Sequence, residues 1–306
     1  MSALSRLGSN ASAAARDLWS EGRGWILVAV SFGWALSIGV RLGYPALIPF
    51  FREDFALDLA TAGLLLSAVS GAYAVGHVPG GVLGDRIGEG RILVCSAVIS
   101  AVALLAVSLS TGLPLLFAGS IAYGFAAALF GPTRFTIFST IYSDRSGSAV
   151  GLTMAAGSAG STVLPLAAVT LATQASWQLS FRIAVLLFAG ATVALWLLVP
   201  SRVSGESSAV DTVSWRTVAR IVRGVRRGNV LSVVVIQLFF TFVLQGFAGF
   251  YPTYLVDVKH LSPWVATSLF GGFFAASFVV QPVAGVAMDR FGGRTALVFI
   301  LGVIAL

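Results

Sequence analysis

Two arginines lie inside long apolar stretches of this sequence, where a charge is costly. Arg41 stands within WALSIGVRLGYPALIPFF, and Arg134 stands within AAALFGPTRFTIF. Ionisable residues in such surroundings are rare and usually functional, because an unpaired guanidinium in hydrocarbon is unfavourable. No Asp or Glu stands deep in the apolar stretches. The two arginines therefore indicate an anion site, which a bound solute or a carboxylate from elsewhere would complete. Arg134 lies nearer the end of its stretch, and reaching the membrane surface is the alternative for it.

Aromatic and polar side chains recur at helical spacing around both arginines. The face of Arg41 carries Trp34, Ser37, Ile38, Tyr44 and Pro45, and that of Arg134 carries Tyr123, Ala127 and Phe130. A later stretch places Gln237, Thr241 and Gln245 four residues apart, on one face of a helix. We expect a substrate-binding cavity lined by Arg41, Arg134, Trp34, Tyr44, Tyr123, Gln237, Thr241 and Gln245. For each polar residue the alternative is a hydrogen bond between packed helices.

His77 is the candidate for proton coupling, because histidine is the side chain that titrates near neutral pH. It stands in an apolar stretch, about two helical turns before Asp85. The alternative is a core histidine whose ring nitrogens are satisfied by neighbouring groups.

The composition predicts an all-α, polytopic membrane protein. Of 306 residues, 57% are hydrophobic and 10% are charged, whereas soluble domains carry roughly 25% charged residues. Continuous apolar runs of about 20 residues fit helices that cross a bilayer. We predict eight spans and the start of a ninth, at roughly 24–50, 59–83, 91–110, 113–141, 148–173, 179–200, 230–255, 263–287 and 295–306. Since the last run is short, we expect the sequence to end inside the ninth span.

The arginines between these spans predict the orientation. Placing the N-terminus in the cytoplasm puts fourteen arginines on the cytoplasmic side and leaves Arg52, Arg182 and Lys259 on the other, as the positive-inside rule requires. We expect a cytoplasmic tail at 1–23, a first half of six spans at 24–200, a basic linker at 201–229 and an incomplete second half at 230–306. Within the linker, residues 211–227 predict a basic amphipathic helix on the membrane surface. A regulatory or partner-binding role is its alternative.

A repeated loop sequence relates the two halves. GVLGDRIGEGR at 81–91 is echoed by GVAMDRFGGR at 285–294. Gly81, Asp85, Arg86 and Gly88 in the first copy match Gly285, Asp289, Arg290 and Gly292 in the second at a constant offset, and each copy ends on an arginine, Arg91 and Arg294 respectively. Such a parallel repeat of six helices, with this loop after the second span, resembles the major facilitator superfamily. The family usually has basic residues where this chain has Glu89 and Gly90.

The resemblance implies a pseudo-symmetric helical bundle that moves a solute across the cell membrane by alternating access. It implies that the two loops form a conformational latch, that the first, fourth and seventh spans line the path, and that the protein is a monomer. With the two arginines, it predicts a secondary transporter for a small organic or inorganic anion. The alternatives are a proton-coupled exporter of hydrophobic compounds and a non-transporting membrane sensor. Leu164 before Pro165 departs from the Gly-Pro pair of the family's antiporters, which disfavours the exporter.

Other functional classes lack sequence support. The net charge of +7 could indicate nucleic acid, but the basic residues lie between apolar runs, where membrane orientation explains them. The sequence contains no metal-ligand cluster, nucleophile–base spacing or phosphate loop, so we expect no enzymatic activity, cofactor or metal. We expect the single cysteine, Cys95, to be a buried core residue.

Overall fold

A computed structural model gives the structure of this chain, and it describes residues 19, 23–143, 146–202 and 230–276. The helices are α1 Arg23–Phe55, α2 Leu59–Ile87, α3 Glu89–Ser108, α4 Leu113–Ile141, α5 Ser146–Gln174, α6 Trp177–Leu198, α7 Val230–Asp257 and α8 Pro263–Ala276. Within this described part, seven helices are long and apolar enough to cross a membrane. The all-α prediction is confirmed, and the first seven spans match α1 to α7 within a few residues.

The helix ends follow from local sequence. The Asp58 carboxylate accepts a hydrogen bond from the Thr61 backbone N–H at 2.7 Å and so caps α2. Ser176 caps α6 in the same way, accepting from Leu179 at 3.3 Å. Between α2 and α3 the chain turns at Gly88, whose φ of +104° is one that side-chain-bearing residues rarely adopt. These caps and turns let long helices follow one another with little intervening chain.

Close backbone approach joins α1 to α5. A Cβ added at Gly160 would lie 2.3 Å from the Ala35 carbonyl oxygen, and one at Gly39 would lie 2.4 Å from the Gly160 oxygen. Such contact between helices is possible only with glycine at these positions. Aromatic rings fill the adjoining core, which holds Tyr44, Phe51, Tyr123, Trp177 and Phe181. Helices α1 to α6 thus pack around a shared core and form what we call the first half.

The bundle has two chemically different ends. The basic face carries Arg23, Arg86, Arg91 and Arg202, and the far face carries Arg52, Asp54, Asp257 and Lys259. Helix α7 meets the first half in the part of the bundle toward the far face, where Leu42, Ala248 and Phe270 pack together. Toward the basic face, α7 side chains such as Phe239 and Phe242 are exposed within the described residues.

One expectation is wrong, and others fall outside the described residues. Cys95 is exposed on α3 rather than buried in the core. Lipid-facing positions of a membrane helix are as apolar as its core, so the apolar neighbours of Cys95 could not distinguish the two. The linker helix at 211–227, the eighth span beyond 276, the ninth span and the second loop copy lie outside the described residues. That copy comprises Gly285, Asp289, Arg290, Gly292 and Arg294.

Candidate functional site

Arg41 lies between the first half and α7. Its guanidinium carbon stands 4.3 Å from the centre of the Tyr73 ring, a cation–π contact that orients the side chain. Its Nε is buried and has no hydrogen-bond partner in the part of the chain that the structure describes. No carboxylate pairs with Arg41 among the described residues. Within the described residues no acidic side chain balances the Arg41 charge, and the expected role of Arg41 in binding an anion stays a prediction.

The cavity beside Arg41 has polar groups from both halves. Its volume is about 40 Å³, and its walls include Ser70, Tyr44 and Gln245. The Gln245 amide donates to the Ser70 hydroxyl at 3.4 Å, which joins α7 to α2. The structure thus brings Arg41 and Gln245 to one cavity, as expected, through contacts between helices far apart in sequence.

Arg134 is enclosed by aromatic rings. It is 2% exposed, and its guanidinium carbon lies 3.4 Å from the Trp34 ring centre and 4.2 Å from that of Phe135. Its terminal nitrogen donates to the Gly131 carbonyl oxygen at 3.0 Å, and its buried Nε has no hydrogen-bond partner among the residues described. Because Gly131 precedes Arg134 on a helix running toward the basic face, the side chain turns away from that face. Extension to the membrane surface, the alternative for Arg134, is therefore not what the structure shows.

His77 connects the surroundings of the two arginines. Its Nδ1 lies 2.7 Å from the Tyr73 carbonyl oxygen, and its ring meets the Tyr73 ring edge-on at 4.6 Å. A Cβ added at Gly131 would lie 3.1 Å from His77 Nε2 and 3.9 Å from the Arg134 terminal nitrogen. The ring nitrogen that is not used locally therefore faces the Arg134 region.

The two tyrosines proposed for the cavity lie mainly in the core. Tyr123 is fully buried, stacks on Tyr44 at 5.9 Å and donates its hydroxyl to the Ser37 carbonyl oxygen at 2.8 Å. The expected cavity-facing position of Tyr123 is thus corrected: its face of α4 packs inside the first half. Tyr44 is also fully buried, and it is one of the residues that line the Arg41 cavity. Buried aromatic rings satisfy the same helical spacing as rings that line a path.

The remaining two polar residues of α7 lie apart from Gln245. Thr241 is exposed in the described part of the chain. The Gln237 backbone belongs to α7, while its side chain lies outside what the structure describes. Their expected places in the cavity stay predictions.

The loop of the first motif copy packs against the end of α6. Arg202 donates to the Arg86 carbonyl oxygen, and the Arg91 N–H donates to that of Ser201 at 3.4 Å. A Cβ added at Gly90 would lie 2.1 Å from the Pro200 oxygen. Glycine rather than a basic residue is therefore required at position 90, which explains one departure from the family's pattern.

The other motif residues have simpler surroundings. Asp85, Arg86 and Arg91 are exposed, and Glu89 and Gly88 are buried. Around Gly81 the described residues leave open space, whereas a Cβ at Gly80 would lie 2.9 Å from the Leu129 Cα. Within the described residues, close approach in this part of α2 is thus made by Gly80.

Sequence reasoning missed Ser70 and Tyr73. With His77 they lie at i, i+3 and i+7, so they share one face of α2. That spacing was available in the sequence, and it would have identified α2 as a third wall of the site.

The seven long apolar helices, with Arg41 and Arg134 placed inside them, define a polytopic helical membrane protein. The chain belongs to the Major Facilitator Superfamily, whose sequence profile matches residues 23–306. It is 32% identical to the methylenomycin A resistance protein of Bacillus subtilis (strain 168) over 136 residues, which cover 44% of this chain and 29% of that protein.

Solved structures share the fold. A bacterial homologue of the human lysosomal transporter Spinster, inward-facing and unoccupied, matches with a TM-score of 0.74 at 17% identity, over 90% of this chain and 64% of that one. A D-xylose–proton symporter matches with a TM-score of 0.64 at 15% identity, over 87% of this chain and 69% of the symporter. The chain thus spans less than two thirds of the Spinster homologue.

Proposed function

We propose that this protein is a secondary transporter that moves a small organic or inorganic anion by alternating access. The observation that carries the proposal is Arg41, a guanidinium in a cavity between the two halves with no carboxylate partner among the described residues. We place it in the cell membrane as a monomer, with the basic face in the cytoplasm.

The charge balance favours an anion over other solutes. A cation–π contact such as that of Arg41 with Tyr73 contributes on the order of 0.5–2 kcal/mol. It supplies no counter-charge, however, and a guanidinium inside a membrane is strongly favoured only when it is neutralised. An anion beside Arg41 would supply the counter-charge and would also accept a hydrogen bond from the Nε that has no partner among the described residues.

The contacts between the halves support the alternating-access part of the proposal. In the described residues, α7 meets the first half toward the far face, through Gln245 with Ser70 and the ion pair of Arg52 with Asp257. Toward the basic face, by contrast, described α7 side chains such as Phe239 and Phe242 are exposed, so the two contacts that join α7 to the first half lie away from that face. The motif loop at the end of α2 would favour the opposite arrangement, in which the far face is open.

A thermal-shift experiment at pH 8 tests the proposal. Ligand binding raises the melting temperature by mass action, so sulfate, nitrate and organic anions can be screened without a transport assay. We expect at least one anion to stabilise the wild type and Arg41→Gln to abolish the shift. Arg182→Gln, which removes an exposed arginine of α6, is the matched control and should retain the shift. An anion that stabilises Arg41→Gln as strongly as wild type would contradict the role of Arg41.

A proton-coupled exporter of hydrophobic compounds is the second candidate. It is favoured by the similarity to a protein named for resistance to methylenomycin A. Against it, α1 to α7 carry their described carboxylates only near helix ends. If hydrophobic cations stabilise the protein in the same screen and no anion does, the exporter replaces the anion transporter.

A further inference from the structure

The walls of the Arg41 cavity are mostly apolar and come from three helices. Beside Arg41 of α1, the polar lining includes Ser70 of α2 and Gln245 of α7. The apolar walls are Leu42, Pro45, Leu66, Val69, Ala248 and Gly249. A solute in this cavity would therefore meet one charged group and a few hydrogen-bonding groups, and otherwise hydrocarbon.

The cavity is small. Its volume is about 40 Å³, and a cavity needs about 10–15 Å³, measured with a water-sized probe, to hold one water. The space thus corresponds to about three or four waters. Covalently bonded atoms lie closer together than separate waters do, so a solute of about three to five non-hydrogen atoms would fill it.

One edge of the Arg41 guanidinium is left for such a solute. The Tyr73 ring lies 4.3 Å from the guanidinium carbon, which places the ring against the flat side of the group. The N–H groups lie in the guanidinium plane, so they point past the ring. Nε has no hydrogen-bond partner among the described residues. Two oxygens of one anion can accept from Nε and a neighbouring terminal nitrogen, which favours an oxyanion.

Ser70 and Gln245 add donors from the first half and from α7. The Gln245 amide donates to the Ser70 hydroxyl at 3.4 Å. An amide nitrogen carries two hydrogens and a hydroxyl carries one, so each group has a further hydrogen to donate. An anion in the cavity can therefore contact both halves.

Leu66 and Gly249 face each other across the boundary between α2 and α7. A Cβ added at Gly249 would lie 3.5 Å from Leu66 Cδ1, which is an ordinary van der Waals contact. A methyl group at position 249 therefore fits without displacing either helix, and it narrows the cavity. Shortening the half-buried Leu66 side chain widens the cavity instead.

We propose that the Arg41 cavity binds compact oxyanions of about three to five non-hydrogen atoms, and that Leu66 and Gly249 set this upper limit. The inference rests on the proposed function and names its substrate class. Formate, acetate, nitrate and sulfate belong to this class, whereas butyrate and benzoate exceed it.

Calorimetric titration of the full chain at pH 8, where all these anions are fully ionised, tests the size limit. We expect butyrate to bind about fivefold or more weakly than acetate, and benzoate more weakly still, because excess volume in a packed site is unfavourable. Without a size limit the apolar walls would give the opposite order, since each buried methylene adds affinity.

Two variants should move the limit in opposite directions. Leu66→Ala should bring the affinity for butyrate to within about twofold of that for acetate, because the space left by the leucine side chain receives the longer chain. Gly249→Ala should weaken acetate by about fivefold or more relative to formate. The ratio of two affinities within one variant does not depend on how much of the protein is folded, so a loss of stability cannot imitate either result.

Matched controls lie on the same two helices. Leu64 of α2 is 61% exposed, and Gly246 of α7 is exposed with open space around it among the described residues. Leu64→Ala and Gly246→Ala should therefore keep the wild-type order of affinities.

The failures of the two proposals are distinguishable. If butyrate and benzoate bind as tightly as acetate, and Arg41→Gln abolishes binding of all three, the size limit is overturned and the anion transporter stands. If both Leu66→Ala and Gly249→Ala keep the wild-type ratios, these residues do not set the limit. If none of these anions binds and the wider anion screen is also negative, the proposed function fails and this inference fails with it.

Discussion

Arg52 of α1 and Asp257 of α7 form an ion pair that joins the two halves at the far face. The residues are 205 positions apart in sequence, and both side chains are partly exposed. Arg52 also donates through Nε to the Leu57 carbonyl oxygen at 3.3 Å, which fixes its direction. Since a pair between the halves exists only while they touch, it favours the arrangement that is closed at this face.

Removing the pair should weaken closure at the far face. Exposed pairs contribute about 0.2–1 kcal/mol, so Asp257→Asn should shift the equilibrium between closed and open arrangements by about 1.4- to 5-fold. A double-mutant cycle with Arg52→Gln, read from thermal unfolding, measures the coupling energy directly. Glu53→Gln, which changes an exposed carboxylate beside Arg52, should show no such coupling to Asp257→Asn. Additive effects of Asp257→Asn and Arg52→Gln would contradict a stabilising pair.

The Gly90 contact predicts a destabilised variant. A Cβ there would lie 2.1 Å from the Pro200 carbonyl oxygen, and neither backbone can move freely. Gly90→Ala should therefore destabilise the protein by about 1–3 kcal/mol. Gly81→Ala is the matched control, because the described residues leave open space there and alanine favours a helix by up to about 1 kcal/mol over glycine. The melting temperatures of the two variants test this prediction. If Gly90→Ala and Gly81→Ala melt at the same temperature, the contact of Gly90 with Pro200 does not require glycine.

The sequence predicted the site's charges better than its walls. Arg41 and Arg134 could be recognised because a charge in an apolar stretch stands out in one dimension. Their surroundings could not, because Tyr73 over Arg41 and Trp34 over Arg134 depend on the packing of separate helices. Tyr123 illustrates the same limit, since its spacing along α4 fits a cavity wall and a core position equally well.

The loop after α2 also has features that the sequence alone could not explain. Glu89 and Gly90 depart from the family's pattern, and the sequence offered no reason for either. The reason for Gly90 is the backbone of Pro200 and Ser201, more than 100 residues away in the chain. A motif records which residues a loop usually has, whereas a departure from it can be explained only by the neighbour that requires it.

The cap of α2 predicts a specific loss of stability in acid. Hydrogen bonds from the Thr61 side chain and backbone N–H lower the pKa of Asp58. A carboxyl whose pKa is lower in the folded state stabilises that state at pH values above its pKa in the unfolded chain, which is about 3.9. This contribution to stability is lost as the pH falls through the pKa of the folded state. Asp58→Asn keeps a capping oxygen but cannot titrate, so its melting temperature should fall less than that of wild type between pH 6 and pH 3. If the melting temperatures of wild type and Asp58→Asn fall by the same amount between pH 6 and pH 3, the Asp58 carboxylate does not stabilise the fold through this cap.

The Tyr73 ring predicts how Arg41 is held before an anion arrives. The guanidinium carbon lies 4.3 Å from the ring centre, a contact that holds the long side chain in one position. Ordering a flexible side chain on binding costs about 0.5–1.5 kcal/mol, and Tyr73 removes that cost in advance. Tyr73→Leu, which has no π face, should therefore weaken sulfate binding at pH 8 by about 2- to 13-fold.

Tyr73→Phe separates the ring from its hydroxyl. Phenylalanine keeps the π face beneath Arg41, so this variant should bind sulfate within about twofold of wild type. Calorimetric titration with sulfate at pH 8 measures the affinity of both variants. If Tyr73→Leu binds as tightly as wild type, the ring does not hold Arg41 ready for the anion. If Tyr73→Phe weakens binding as much as Tyr73→Leu, the hydroxyl and not the π face carries the effect, and the cation–π contact is incidental to anion binding.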